Sequence, residues 1–264
     1  MPAWFTGSVV PTPAPPTTAL RRIPAAVLVL ALVAASLVLV AVGRNVWQRL
    51  ERDPSRDGHR RVLFVGDSLM FGASGLLELK FRSQDIETRF VGGYGSGLLS
   101  GQGWWVRELG YQVDTWHPDV VVIEACCNYG VGEPLFRAPD GSTVTSQSDD
   151  MYRWWKHQAE AAVAEATRYG ADVFWVVTPA ASEQLWPTYV ERIPKFNEIS
   201  AGLGVDRIDW RQVLTPDGTF TPTKEIDGKT VRIRDPDGLH LADAGDDLVV
   251  RATYDAVAPA LGVG

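Results

Sequence analysis

The run RVLFVGDSLMFG, Arg61 to Gly72, drives four β-favouring residues, Val62 to Val65, straight into Gly66-Asp67-Ser68-Leu69 and a helix-forming segment. A buried strand that ends on glycine, aspartate and a lone serine has two readings. In one, Gly66 allows a sharp exit from the strand and Asp67 caps the next helix, with nothing further implied. In the other, the turn presents the Ser68 hydroxyl at a helix N-terminus, where partial positive charge favours a developing oxyanion.

Downstream of this turn, strand-like and helix-like segments alternate. Strands are expected at 61–66, 87–92, 119–126, 172–178 and 206–210, and helices at 69–83, 102–115, 149–169, 187–202 and 242–260. The segment VVVIEA is almost continuously apolar, as a central strand covered on both faces should be. Short connections between alternating elements argue for an α/β domain with one doubly wound parallel sheet, over residues 61–262. Two stretches, 130–147 and 215–237, read as irregular, and Asp227-Gly228 is suited to turn a hairpin within the second. In such a sheet the carboxyl ends of the strands carry function. Ser68, the glycines from Gly92 to Gly97 and Asn128 all follow strand ends and would converge on one rim.

Upstream, the chain changes character. Residues 1–22 are rich in proline and threonine and read as an unstructured tail. From Ile23 to Gly43 no charged residue occurs. As a helix this segment would reach about 31 Å, enough for one transmembrane helix or signal anchor. It is long for a cleaved signal peptide, so an uncleaved single-pass anchor is expected. Residues 44–60 are charged and broken by Pro54 and Gly58, as a linker would be. Arginines flank the apolar run on both sides and leave its orientation open. We expect a cell-membrane protein with its folded domain extracytoplasmic.

The net charge of −7 gives no electrostatic support to a nucleic-acid partner. Cys126 and Cys127 are the only cysteines. Neighbouring Cα atoms sit ~3.8 Å apart, whereas disulfides prefer ~5.5–6 Å. Two unbridged thiols packed at a strand end are therefore expected. No metal-ligand spacing is present.

A serine hydroxyl needs an adjacent base, usually a histidine oriented by a carboxylate. Of four histidines, His59 lies in the linker, His117 at a helix terminus and His157 on a polar helix face; these read as structural or solvated. His240 closes DPDGLH in an irregular loop before the last helix, three residues after Asp237. Alone, D-x-x-H equally suits a plain loop turn.

Together, VGDSLMFG and DPDGLHLADAG, in that order, resemble the SGNH hydrolase superfamily, the GDSL-type esterases and lipases, over about residues 61–260. The resemblance implies a three-layer, flavodoxin-like fold. It implies Ser68 as nucleophile, His240 as general base and then acid, and Asp237 as the carboxylate that fixes the histidine. It further implies an oxyanion hole from the Ser68 N–H, a glycine N–H and the Asn128 amide. Gly95 and Gly97 are both eligible, Gly95 preferred. The third block departs from the family: its usual glycine-x-asparagine-aspartate is Cys126-Cys127-Asn128-Tyr129 here, which bears on the oxyanion donors but leaves the Ser–His–Asp set intact. Such divergent blocks also look like those of SGNH domains associated with membrane acyltransferases that modify surface polysaccharides.

The expected activity is hydrolysis of acyl esters, acetyl esters foremost, on extracytoplasmic glycans or small molecules, with no cofactor or metal required. The alternatives are O-acyl transfer to a surface polysaccharide through the same residues, and a catalytically silent glycan-binding module.

Overall fold

The computed structural model of the chain describes residues 58–126, 128–129, 134–146, 148 and 150–263. The expected tail (1–22), membrane segment (23–43) and most of the expected linker (44–60) lie outside these residues. Among the described residues no helix is long and apolar enough to cross a membrane.

In chain order the elements are β1 (Arg60–Gly66), α1 (Ser68–Arg82), β2 (Ile86–Gly92), α2 (Trp104–Trp116) and β3 (Val120–Ile123). Then come β4 (Pro134–Arg137), β5 (Thr143–Thr145), α3 (Met151–Ala166), β6 (Asp172–Val177), α4 (Pro187–Ala201) and β7 (Asp206–Asp209). The chain continues through α5 (Trp210–Leu214), β8 (Thr223–Ile226), β9 (Lys229–Arg232) and α6 (Asp243–Val257).

Five strands form one sheet in the order β2-β1-β3-β6-β7, every pair parallel. The order reverses at β1, which has β2 on one side and β3 on the other. The crevice beyond the carboxyl ends of β1 and β3 is thus the topological switch point, where α/β sheets bind ligands.

Side chains alternate across the sheet and build two cores. Val62, Phe64, Val120, Val122, Phe174 and Val176 pack with Leu77 and Phe81 of α1 and Val249 and Val257 of α6. Leu63, Val65, Val121, Ile123, Val173 and Trp175 pack with Trp105 and Leu109 of α2 and Trp155 and Ala159 of α3. Both faces of β1 and β3 are therefore covered, which is why these strands read as unbroken apolar runs. Helix α1 buries Leu69, Ala73, Leu77 and Phe81, a row at four-residue spacing.

Three local differences from the sequence reading matter for function. The third strand ends at Ile123, not near Cys126. Glu124 N–H still reaches Val65 O at 2.8 Å, after which the chain leaves the ladder. Inside the stretch expected to be irregular, β4 and β5 form an antiparallel hairpin, turned by Gly141 at φ +85°. The second hairpin, β8–β9, turns at Asp227 (φ +52°) and Gly228 (φ +74°), the two positive angles a tight hairpin needs.

Candidate active site

Ser68 is the first residue of α1 and is 5% exposed at the end of β1. Asp67, the N-cap, accepts the Leu69 N–H at 3.0 Å and so satisfies one otherwise unpaired donor of the first turn. Gly66 has no room for a side chain: a Cβ there would lie 2.2 Å from the Met70 Cβ. The end of β2 is equally tight, since a Cβ on Gly92 would meet Gly66 O at 1.9 Å.

His240 comes from the loop ahead of α6. Its Nε2 lies 2.8 Å from Ser68 Oγ, and its Nδ1 lies 2.5 Å from Asp237 Oδ2. Asp237 Oδ1 accepts the backbone N–H groups of Leu239 (2.9 Å) and His240 (3.0 Å). The carboxylate thus ties its own loop while its second oxygen faces the ring. Burial raises the Asp237 carboxyl, but the His240 side chain and the two N–H donors outweigh it and hold the group below its ordinary value. An ionised Asp237 accepts only, so Nδ1 carries the ring hydrogen and Nε2 is left to accept from the Ser68 hydroxyl.

Asn128 lines the same small cavity as Ser68, with Cys126, Tyr189, Ile193 and Leu239. Its Nδ2 donates to Asp67 Oδ2 (2.9 Å) and to Ser96 O (3.1 Å), and its Oδ1 accepts from the Tyr189 hydroxyl at 3.2 Å. Both amide hydrogens already have acceptors. Gly95 is exposed at φ +69° with open space around it. Gly97 is buried, and a Cβ there would press on the Tyr129 ring, 2.9 Å from its hydroxyl. Tyr129, which stands where the GDSL-type pattern would have aspartate, therefore fills the space beside this glycine.

The remaining histidines lie elsewhere. His59 pairs with Asp85, His117 meets the Tyr169 ring edge-on, and His157 stacks on Trp154. Cys126 is disulfide-bonded, not the unbridged thiol expected. Separation between ordinary Cα positions was too coarse a criterion for it. The chain's one other cysteine is Cys127, which lies outside the described residues.

The family model described as "Protein of unknown function (DUF459)" matches residues 61–256. The chain belongs to this family. No curated protein matches the DUF459 chain by sequence. Among solved structures, a candidate acylhydrolase from Bacteroides fragilis is 17% identical, with 83% of this chain and 96% of that chain covered at a TM-score of 0.54. A GDSL-like lipase from Bacteroides thetaiotaomicron is 15% identical, with 83% and 97% covered at a TM-score of 0.51. The DUF459 domain has the fold of these GDSL-type proteins.

Several site residues of the DUF459 chain escaped the sequence reading. Trp186 Nε1 donates to Asp237 O at 2.6 Å. Ser182 N–H donates to Gly238 O at 2.9 Å, and a Cβ on Gly238 would clash with the Ser182 Cβ at 2.5 Å. The stretch after β6 thus clamps the Asp237–His240 loop. Buried Arg192 of α4 donates to Tyr129 O (2.8 Å) and Ser146 O (3.2 Å). Glu124, fully buried, accepts the Asp67 N–H at 3.1 Å. Only Glu124 carried a signal in the sequence, as a lone acid at the end of an apolar strand.

Proposed function

We propose that this DUF459 protein is a membrane-anchored serine esterase that removes short acyl groups, acetyl foremost, from hydroxyls of extracytoplasmic glycans or similar surface molecules. The observation that carries this reading is the unbroken hydrogen-bonded line from Ser68 Oγ through both nitrogens of His240 to Asp237, at the switch point of the sheet. The shared fold with GDSL-type hydrolases supports it. The cavity beside Ser68 is narrow, about 10 Å³, which weighs against a long acyl tail.

Ser68 Oγ attacks the ester carbonyl carbon as its proton passes to His240 Nε2, and the carbonyl electron pair moves onto oxygen. Asp237 stabilises the imidazolium so formed. The N–H of Ser68, at the head of α1, and an N–H of the Gly95–Gly97 turn are the donors this reading gives to the oxyanion, with Asn128 joining if it releases Asp67 or Ser96. Collapse expels the alcohol, which takes the proton from Nε2 and leaves an acyl-serine. Water then attacks the acyl carbon, gives its proton to Nε2, and collapse returns Ser68 and a free acid.

The full-length chain should hydrolyse p-nitrophenyl acetate and be labelled by a fluorophosphonate. Ser68→Ala should lose both, with a fall in kcat of about 10³-fold or more. Equal rates and equal labelling of the two proteins would overturn the reading. Acetate release from an acetylated glycan without an acceptor identifies a hydrolase. Strict need for a sugar acceptor identifies transfer through the same acyl-serine.

A further inference from the structure

Beneath the nucleophile turn lies a carboxyl pair to which the steps above give no part. Glu124 is 0% exposed and Asp67 is 2% exposed. Glu124 accepts backbone N–H groups from Asp67 and Met70, both at the head of α1. Its Oε1 is buried and has no donor directed at it. Asp67 takes the N–H groups of Leu69 and Cys126 and the Asn128 amide, which leaves one of its about four acceptor sites open. Two ionised carboxylates this close and this deep would repel strongly. One proton between them turns the repulsion into a hydrogen bond between the two side chains, and Oε1 has no other partner to compete for it.

We propose that Glu124 is a positioning residue: as a neutral acid it donates a hydrogen bond to the Asp67 carboxylate and thereby holds the Asn128 amide and the first turn of α1 in register with His240. This rests on the esterase reading for its effect on turnover, but not for the proton itself. Burial, then the adjacent Asp67 charge, pushes the Glu124 carboxyl well above its ordinary value. Burial also raises Asp67, against its N–H donors, Glu124 and the charge of His240. The titratable groups around the pair are His240 from the loop before α6, Tyr129 after β3 and Tyr189 from α4; Arg192 acts on the two tyrosines. Asp67 thus remains the anion and gives the imidazole a second negative neighbour besides Asp237.

Glutamine copies a protonated glutamate, with one oxygen to accept from Asp67 N–H and one N–H to donate to its carboxylate. In the full-length protein Glu124→Gln should keep kcat on p-nitrophenyl acetate within about threefold of wild type. Glu124→Met, similar in bulk but unable to donate or accept, should lower kcat at least tenfold with KM little changed. The proton has its own readout. A carboxyl raised in the folded state contributes stability below its unfolded pKa and loses it as pH rises towards the folded value. The wild-type melting temperature should therefore fall relative to E124Q above about pH 4.5, by about 3–5 °C per pH unit. Parallel melting curves for wild type and E124Q across pH 5–8, or a Gln variant as slow as the Met variant, would overturn the proposal. If E124M does not fold, the E124Q comparison decides alone. A wild type without esterase activity that still shows the pH-dependent gap would refute the esterase reading and leave the shared proton standing.

Discussion

Arg234 shows how a single side chain shapes the site from behind. It is 1% exposed and donates through its two Nη atoms to Leu239 O (2.6 Å) and Ala180 O (2.5 Å). It therefore couples the loop that carries His240 to the segment after β6. Burial lowers its guanidinium to about 10, against the opposing pull of Asp237, so the cation persists at neutral pH. Arg234→Met would remove this donor from one buried and one partly buried carbonyl. We expect a loss of about 2–4 kcal/mol in unfolding free energy, read by denaturant titration, and a fall in kcat larger than any change in KM. An unchanged kcat would show that the loop holds its own shape. Asp237 and His240 were legible in the sequence because three residues of separation put them in one turn, where Asp237 also ties the His240 N–H. Arg234 and Trp186 were not, because their partners are set by tertiary contact and not by spacing; Glu124 showed only as a lone acid at a strand end, with its partners hidden.

At the scale of elements, α6 carries an unusual cost at its start. Asp243 and Asp246 occupy its first turn, where the helix dipole ordinarily favours carboxylates. Asp246 is nonetheless raised to about 6, first by burial and then by the charges of Asp243, Asp235 and Asp247. Its Oδ1 is buried without a partner. A carboxyl raised in this way stabilises the fold below its unfolded pKa and ceases to do so as pH rises through about 6. Asp246→Asn should therefore raise the melting temperature by a few °C at pH 7–8 and bring no gain near pH 4. An equal gain at both pH values would assign the effect to packing. The long helices and the five parallel strands were readable from alternation and apolar runs. The hairpin β8–β9 was readable from Asp227-Gly228. The β4–β5 hairpin was missed because its strands are only four and three residues long. Helix α5, five residues long, is below what periodicity resolves.

For the molecule as a whole, we propose that the uncharged run from Ile23 to Gly43 holds the protein at a membrane. The full chain should sediment with membranes and resist carbonate extraction, and protease added to intact cells should digest the folded domain. Recovery in the carbonate supernatant would count against the anchor; protection from protease would reverse its orientation. The sheet order came within reach only through the family resemblance, since alternation alone does not say which strands are neighbours. Ser68 and His240 are 172 positions apart, and all five strands of the sheet precede the histidine in the chain. A polypeptide emerging from the ribosome thus holds every strand of its sheet before it holds the proposed base. On the proposed mechanism, turnover waits until His240 has reached Ser68, after every strand of the sheet has been made.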